Sequence, residues 1–519
     1  MQNLRASQCG LWGRAKLTRR KMESSGCRSL DPVDWRGLRA LGHRMLDDVF
    51  DDLAAVASGP VWRTMPEAVR RAWCEDLPRD GAEFEEVYAD YFRLIAPYGA
   101  GNRHPRFFGW VHGSGTAIGV LAELLMAGLN ANCGGRDHAP IACEGQVIRW
   151  AAEMLGLPVG SSGLVVTGTS MANFVAVLVA RTAALGAASR ASGIAGTRLT
   201  AYAGAGAHMC VARALDMAGL GSDALRLLPC DRAGRMDVAA LEAAIAADRS
   251  AALQPFLVVG TAGSVDTGAI DDLAAIAQCC ERHGLWFHVN AAFAAIAMLS
   301  AKLRPGLRGI ERADSVAFDF HKWAQVPYDA GCIVVRDAAA QRAAFARPAA
   351  YLGREMRGLA AGEPWPVDLG PELSRGFRAL KVWMTLKTYG ADRLGGVVEH
   401  CCALAQRLAR RIDGEAALEL AAPVTLNIVC FRYRAGDDAM QAANAADLQE
   451  SGAVVLSTTV LEGRIVLRAA IVNHRTRTED VDAIVTAVVA AGAGRRSAGR
   501  AAPATPLRPG AASQRLKLD

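Results

Sequence analysis

Apolar positions along the chain follow two different periods. Between residues 34 and 99, Leu38, Leu41, Met45 and Val49 recur at three- to four-residue steps, the mark of one helical face. From about residue 100 to 375 the pattern changes to short, nearly continuous apolar runs at 163–167, 199–203, 256–260, 285–291, 315–320 and 332–335. Helical patterns such as 237–247 and 271–283 separate several of them. Alternation of this kind predicts a largely parallel sheet with helices on both faces, an α/β architecture. Beyond about residue 378 a helical stretch leads to strand patterns at 426–432, 453–459 and 464–472, which predict a smaller α+β domain. The expected organisation is a tail over 1–30, an N-terminal helical segment over 31–99, a large domain over 100–377, a small domain over 378–493 and a second tail over 494–519.

Composition changes this picture little. A chain of 519 residues, 51% hydrophobic and 21% charged, is long enough for two or three domains with sizeable cores. Its 13 cysteines include no Cys-x-x-Cys, so they read as buried thiols of a reducing compartment, with neither a zinc site nor a disulfide framework expected. Charge is more informative. Residues 1–30 carry seven basic side chains against Glu23, and 494–519 carry six against Asp519, so the body between them is mildly acidic although the whole chain is +6. Basic ends could touch nucleic acid or anionic lipid, but they lack aromatic interleaving and amphipathic design. Solvated ends are the plainer reading of their Ala, Gly, Ser, Pro and Arg content.

The N-terminal stretch has no apolar core of a secretory signal. Its Arg and Ser content also suits an organelle transit peptide, and Met22 is an alternative start. Residues 154–180 contain no charge, yet Pro158 and the hydroxyls of Ser161, Ser162, Thr167, Thr169 and Ser170 interrupt the run. That excludes a lipid-facing span and leaves a buried strand, a turn and a buried helix. A cytoplasmic protein without nucleic-acid or membrane partners is expected.

Candidate chemistry centres on Phe320-His321-Lys322-Trp323, which places a lysine at the end of an apolar strand. Lysine is the side chain that attaches carbonyl cofactors. Three other segments bear on it. Gly168-Thr169-Ser170 joins a strand to a helix and suits an anion, although Thr and Ser are also ordinary cap residues. Asn290 ends the strand pattern at 285–291, where ligands of open α/β sheets sit. His208 follows Gly204-Ala205-Gly206 and could stack on a flat ring or serve structure alone.

These motifs, with Asn102-Arg103-His104-Pro105-Arg106-Phe107-Phe108-Gly109, Gly260-Thr261-Ala262-Gly263, Phe377-Arg378-Ala379-Leu380-Lys381 and Ile471-Val472-Asn473-His474-Arg475, stand in the order found in the pyridoxal-phosphate-dependent group II amino-acid decarboxylases. The chain resembles that family from about residue 34 to 490. The resemblance implies the fold type I, PLP-dependent transferase-like architecture, a homodimer, pyridoxal 5'-phosphate as cofactor and an amino acid as substrate. It implies Lys322 and His208 as catalytic residues, Lys322 carrying the cofactor and His208 stacking on its ring. Gly168, Thr169, Ser170 and His321 would lie at the phosphate, and Thr261, Asp271 and Asn290 at the ring. Phe107, Phe108, His112 and Trp365 are candidate pocket residues, with core packing as the alternative.

Two departures stand out. The family carries Asp where this chain has Asn290; a carboxylate keeps the ring nitrogen protonated, whereas an amide supplies no charge. The family's aromatic-amino-acid members place a proton-donating tyrosine in the loop leading from Tyr351-Leu352 to Ser374-Arg375-Gly376-Phe377, and here it reads Glu363-Pro364-Trp365-Pro366-Val367-Asp368. Three outcomes follow: an amino-acid decarboxylase, a relative that forms an aldehyde by decarboxylation and deamination, or a cofactor-binding protein with impaired catalysis.

Overall fold

Seven strands form the larger sheet: β1 (Ser162–Val166), β2 (Leu199–Gly204), β3 (Leu225–Leu228), β4 (Gln254–Thr261), β5 (Trp286–Asn290), β6 (Ser315–Asp319) and β7 (Gly331–Val335). Their spatial order is β1-β7-β6-β5-β4-β2-β3. All neighbours are parallel except β7, which runs against both β1 and β6. Because one antiparallel strand separates them, β1 and β6 point the same way, and six strands end at a single edge of the sheet. Every residue of β2, β6 and β7 is buried, as the continuous apolar runs require of a sheet covered on both faces. The computed structural model describes residues 29–194, 196–347 and 353–499.

The smaller sheet comprises β8 (Leu418–Leu420), β9 (Ile428–Tyr433), β10 (Ser457–Leu461) and β11 (Arg464–Ala470), ordered β10-β11-β9-β8 and wholly antiparallel. Strands β3 and β8 have no counterpart in the sequence pattern. Both are short edge strands interrupted by a charge, Arg226 or Glu419, so neither makes an apolar run. Strand β10 starts later than expected because the preceding residues have another partner. Val455 bridges Phe107 and its carbonyl accepts the Phe108 N–H at 2.8 Å.

A buried ion pair fixes β1 in place. Arg375 grips Glu144 through both ends of its guanidinium, at 2.9 and 2.5 Å, and also donates to the carbonyls of Cys133 and Val165. Glu144 in turn accepts the Val165 N–H. Removing one partner of such a pair costs roughly 3–5 kcal/mol, so this clamp holds the strand that feeds the Gly168 turn.

The described residues through Asp51 form one unit and those from Asp52 onward another. The helix Trp35–Ala54 carries the predicted apolar periodicity, and none of its residues is buried. Most of each basic tail, Met22 and Tyr351-Leu352 lie outside the described residues. The closing helix Thr478–Gly499 continues into the segment expected to be tail. No described helix is long and apolar enough to cross a membrane, and the described cysteines are free thiols.

Candidate functional site

Strand ends deliver the predicted residues to one sheet edge. Lys322 lies just past β6, in a turn held from three sides. Trp323 is fully buried and meets Phe293 edge-on, with ring centroids 5.5 Å apart. Gln325, at φ +59°, donates to the carbonyls of Trp323 and Val472 and accepts from both the N–H and the hydroxyl of Ser114. Left-handed backbone at a non-glycine residue is uncommon and persists where surrounding bonds enforce it. Gly113 presses on the same turn, where a Cβ would collide with the carbonyl oxygens of His321 and Lys322.

Charge gathers at the β6 end. Asp319 is 2% exposed; its Oδ2 lies 2.9 Å from Lys322 Nζ, and its Oδ1 accepts the Thr169 N–H at 2.7 Å. Thr169 opens the helix Thr169–Leu185 that follows β1, and the exposed Ser170 comes next. His321 Nδ1 accepts the Ala330 N–H, which puts the ring proton on Nε2, 3.7 Å from Asp319. Burial, more than any neighbour, lowers the His321 pKa. Asp319 escaped the sequence reading because it looks like the polar end of an apolar strand.

At the β5 end the groups are neutral. Asn290 pairs in register with Thr261 at the end of β4. Its Oδ1 accepts the Ala292 N–H at 3.3 Å, and its Nδ2 faces Cys210 Sγ at 3.8 Å. Asn173 Nδ2 reaches the same sulfur at 3.2 Å, while its Oδ1 meets His288 Nε2 at 2.7 Å. Ser315 Oγ lies 2.8 Å from His288 Nδ1 and accepts from the Trp286 indole, so an imidazole protonated on Nε2 donates to Asn173 and accepts from the Ser315 hydroxyl, with the Ser315 carbonyl 3.2 Å from the same Nδ1. Complete burial pushes His288 down to about 4. His208 stays open to solvent, and its Nδ1 accepts the Cys210 N–H. Desolvation first, then the Lys322 charge, lowers its pKa.

Asp271 is buried, and its two oxygens accept the N–H groups of Met236 and Thr261, each at 2.7 Å. It therefore reaches this edge through the Thr261 backbone. Burial raises its carboxyl pKa.

The four candidate pocket residues part company. Phe107 lies 5.8 Å and Trp110 5.9 Å from the His112 ring, each near-parallel to it, and the two are 6.2 Å from each other, so the three rings form a triangle. Phe108 is 0% exposed within the main core, which is the packing alternative for that residue. Trp365 joins neither group: its ring lies between the guanidinium groups of Arg136 and Arg354, 4.6 and 3.7 Å from its centroid, and its Nε1 donates to the Ala361 carbonyl. Cation–π contacts with Arg136, distant in sequence, and with Arg354, earlier in the same loop, draw the indole there, and the immediately neighbouring residues do not reveal them.

Tyr328 takes the remaining place in the ring cluster, edge-on to His112 and 4.3 Å from the His321 ring. The residue is 49% exposed, yet desolvation of its hydroxyl, then the Asp319 charge, pushes the pKa up to about 12, against a backbone hydrogen bond with Gly113. Sequence reasoning passed it over by seeking a tyrosine only in the distal loop; its place on the return from the lysine turn to β7 was the available signal.

Two buried hydroxyls at this edge, Thr169 Oγ1 and Thr261 Oγ1, have no hydrogen-bond partner. With a helix N-terminus, an imidazole and a lysine amine, they make a donor set that fits a flat heteroaromatic aldehyde bearing an anionic group. An amide at 290 can donate to an unprotonated ring nitrogen or accept from a protonated one, so it is compatible with either state.

The pyridoxal-dependent decarboxylase conserved domain matches residues 66–434. The aromatic-L-amino-acid decarboxylase of Bacillus atrophaeus is 32% identical over 456 residues, covering 86% of this chain and 93% of that protein. Phenylacetaldehyde synthase of Arabidopsis thaliana is 28% identical over 470 residues, covering 87% and 94%. The crystal structure of Oryza sativa TDC with PLP and tryptamine matches with a TM-score of 0.83 at 26% identity, over 90% of this chain and all of that one.

Proposed function

The chain belongs to the pyridoxal-dependent decarboxylases, carboxy-lyases whose cofactor is pyridoxal phosphate, and from that premise we propose that it decarboxylates an amino acid of the aromatic class at the sheet edge around Lys322. What carries the reading is the convergence of Lys322, Thr169, Thr261 and Asn290 from four strand ends beside the ring cluster of Phe107, Trp110, His112 and Tyr328. The similarity to an aromatic-L-amino-acid decarboxylase supports the substrate class.

Lys322 Nζ is the covalent anchor for the cofactor aldehyde. Gly168, Thr169 and Ser170 hold the phosphate at the helix N-terminus, with His321 beside them. His208 offers its imidazole face to the ring, Thr261 and Asn290 line the ring's edge, and Asp271 keeps Thr261 in position. When bound, pyridoxal phosphate supplies the sink for the electron pair left at Cα as carbon dioxide departs. Tyr328 Oη is protonated at neutral pH and returns a proton to Cα. A homodimer is the working assembly.

A second reading has a specific basis. The segment expected to supply a proton donor has no hydroxyl there and is pinned, with Trp365 between two arginines and Asp368 bound to Arg354 at 2.5 Å. Failure to return the proton would let two electrons pass to dioxygen, which leaves as hydrogen peroxide, and water would then replace the nitrogen to give an aldehyde and ammonia. Product analysis separates the two: decarboxylation yields one amine per carbon dioxide, the alternative an aldehyde and ammonia. Borohydride reduction of the loaded protein followed by peptide mass spectrometry should place the pyridoxyl group on Lys322; a label on any other lysine overturns the site.

A further inference from the structure

The turn assigned to the cofactor phosphate already faces an anion of the chain's own. Asp319 Oδ1 accepts the first N–H of the helix Thr169–Leu185, at 2.7 Å, from a side chain almost entirely withdrawn from solvent. Neither partner can easily retreat. Lys322 holds the other carboxylate oxygen at 2.9 Å, and Gly331 packs so closely on Gly168 that a Cβ on Gly331 would collide with the Gly168 backbone. The groups that face Asp319 are the Lys322 ammonium, the His321 ring and the Thr169 N–H, with Tyr328 beyond the imidazole. A phosphate seated on the hydroxyls of Thr169 and Ser170 therefore meets an acceptor where a helix N-terminus would otherwise present a donor, and two like charges share one dipole end.

We propose that Asp319 is a resident anion that sets how much negative charge the cofactor seat tolerates, so that this protein gains less from the cofactor's phosphate than its helix N-terminus would allow. The inference rests on the assignment of Gly168-Thr169-Ser170 to the phosphate and deepens it by naming the residue that opposes it. Asp319 thus acts as a specificity determinant, and an amide in its place keeps the shape, loses the charge and can turn a donor toward the phosphate.

The test compares two aldehydes that differ only in the phosphate. Protein freed of cofactor is titrated with pyridoxal phosphate and with pyridoxal at fixed pH and salt, following absorbance, for the parent and Asp319→Asn. Asp319 also pairs with Lys322, so altered lysine reactivity moves both dissociation constants together and cancels in their ratio. The preference for pyridoxal phosphate over pyridoxal should rise by about tenfold or more in the variant, and inorganic phosphate should compete more strongly with pyridoxal phosphate. Asp319→Ser must shift the preference in the same direction, which keeps the test open if the first variant folds poorly. An unchanged or reduced preference, with Lys322 still labelled by borohydride, overturns the role of Asp319 alone. Absence of label on Lys322 in the parent overturns the cofactor assignment and this inference with it.

Discussion

Asn290 and Asp319 end adjacent parallel strands of one sheet, and both are nearly as buried as a side chain can be, at 5% and 2% exposure. One is a neutral amide set against a thiol; the other is a carboxylate set against an ammonium and a helix N–H. Burial alone therefore does not decide where charge can sit. The partner does, because an unpaired buried carboxylate is costly while a paired and hydrogen-bonded one is tolerated. Residue 290 has no cation within its hydrogen-bonding set, and an aspartate there would depend on a protonated ring for its counter-charge. Within this site the charge stands one strand away from Asn290, the position where the resemblance leads one to expect it.

The most severe way to break the contrast is Lys322→Ala, which removes the cation from the charged end. Amine formation should fall to background. The apoprotein should lose about 3 kcal/mol of stability, because Asp319 keeps only the Thr169 N–H and a distant imidazole. Denaturant unfolding at neutral pH measures the second effect separately from the first.

Acid attacks the neutral end instead. His288 lies well below its unfolded value of about 6.5, so the unfolded chain takes up the proton first as the pH drops. Its contribution is complete above about pH 6.5 and is lost as the pH falls through about 4, a difference of about 3 kcal/mol in unfolding free energy. Unfolding curves at pH 7, 5.5 and 4.5 should show that slope in the parent. His288→Gln should flatten it, and equal slopes would mean that the imidazole is not held neutral by burial.

Tyr328→Phe tests the rim between the two ends. Loss of the hydroxyl should lower the amine-forming kcat by about a hundredfold, the lower range for a positioned proton donor, and raise the share of aldehyde. Cofactor binding should not change. A variant with the parent's rate and products would remove Tyr328 from the reaction.

Asn290→Asp sharpens the contrast by making the two ends alike. Any decarboxylation rate should rise by about tenfold or more with cofactor saturating, since a gain of ~1.4 kcal/mol in transition-state stabilisation suffices. The apoprotein should become less stable by about 1–3 kcal/mol, because the new carboxylate faces only a thiol and an N–H. A faster holoenzyme with a weaker apoprotein is the expected pair of results. An unchanged rate would show that the remainder of the site no longer uses a ring charge.

Legibility in the sequence followed the physics of burial. Strands covered on both faces, such as β5 and β6, announce themselves as unbroken apolar runs and were placed to within about a residue. Edge strands β3 and β8 did not, since each carries a part-buried charged side chain, Arg226 or Glu419, that breaks the apolar run, and each pairs on one side only. The lysine motif and the Gly168 turn were readable because their chemistry is local. Asp319 depends on a helix far away in sequence, and Trp365 on Arg136 from another segment and on Arg354 from the far end of its own loop, so neither environment is written in the immediately neighbouring residues. Phe107 and Phe108 are adjacent and equally apolar, yet one stacks in the ring cluster and the other fills the core; alternation along an extended segment separates them.

The hydrogen bond from Thr169 to Asp319 spans 150 residues of chain. During synthesis the turn emerges long before the strand that completes it, and β7, made later still, must be inserted between β1 and β6 before the edge is complete. Contacts of such sequence separation form late and slowly. On the proposed site the nascent chain has no place to capture its cofactor until β6 and β7 are seated, and a chain interrupted before residue 319 carries a helix N-terminus and two hydroxyls without Lys322. Cofactor supply can rescue a finished apoprotein, but it cannot guide the early assembly of the sheet.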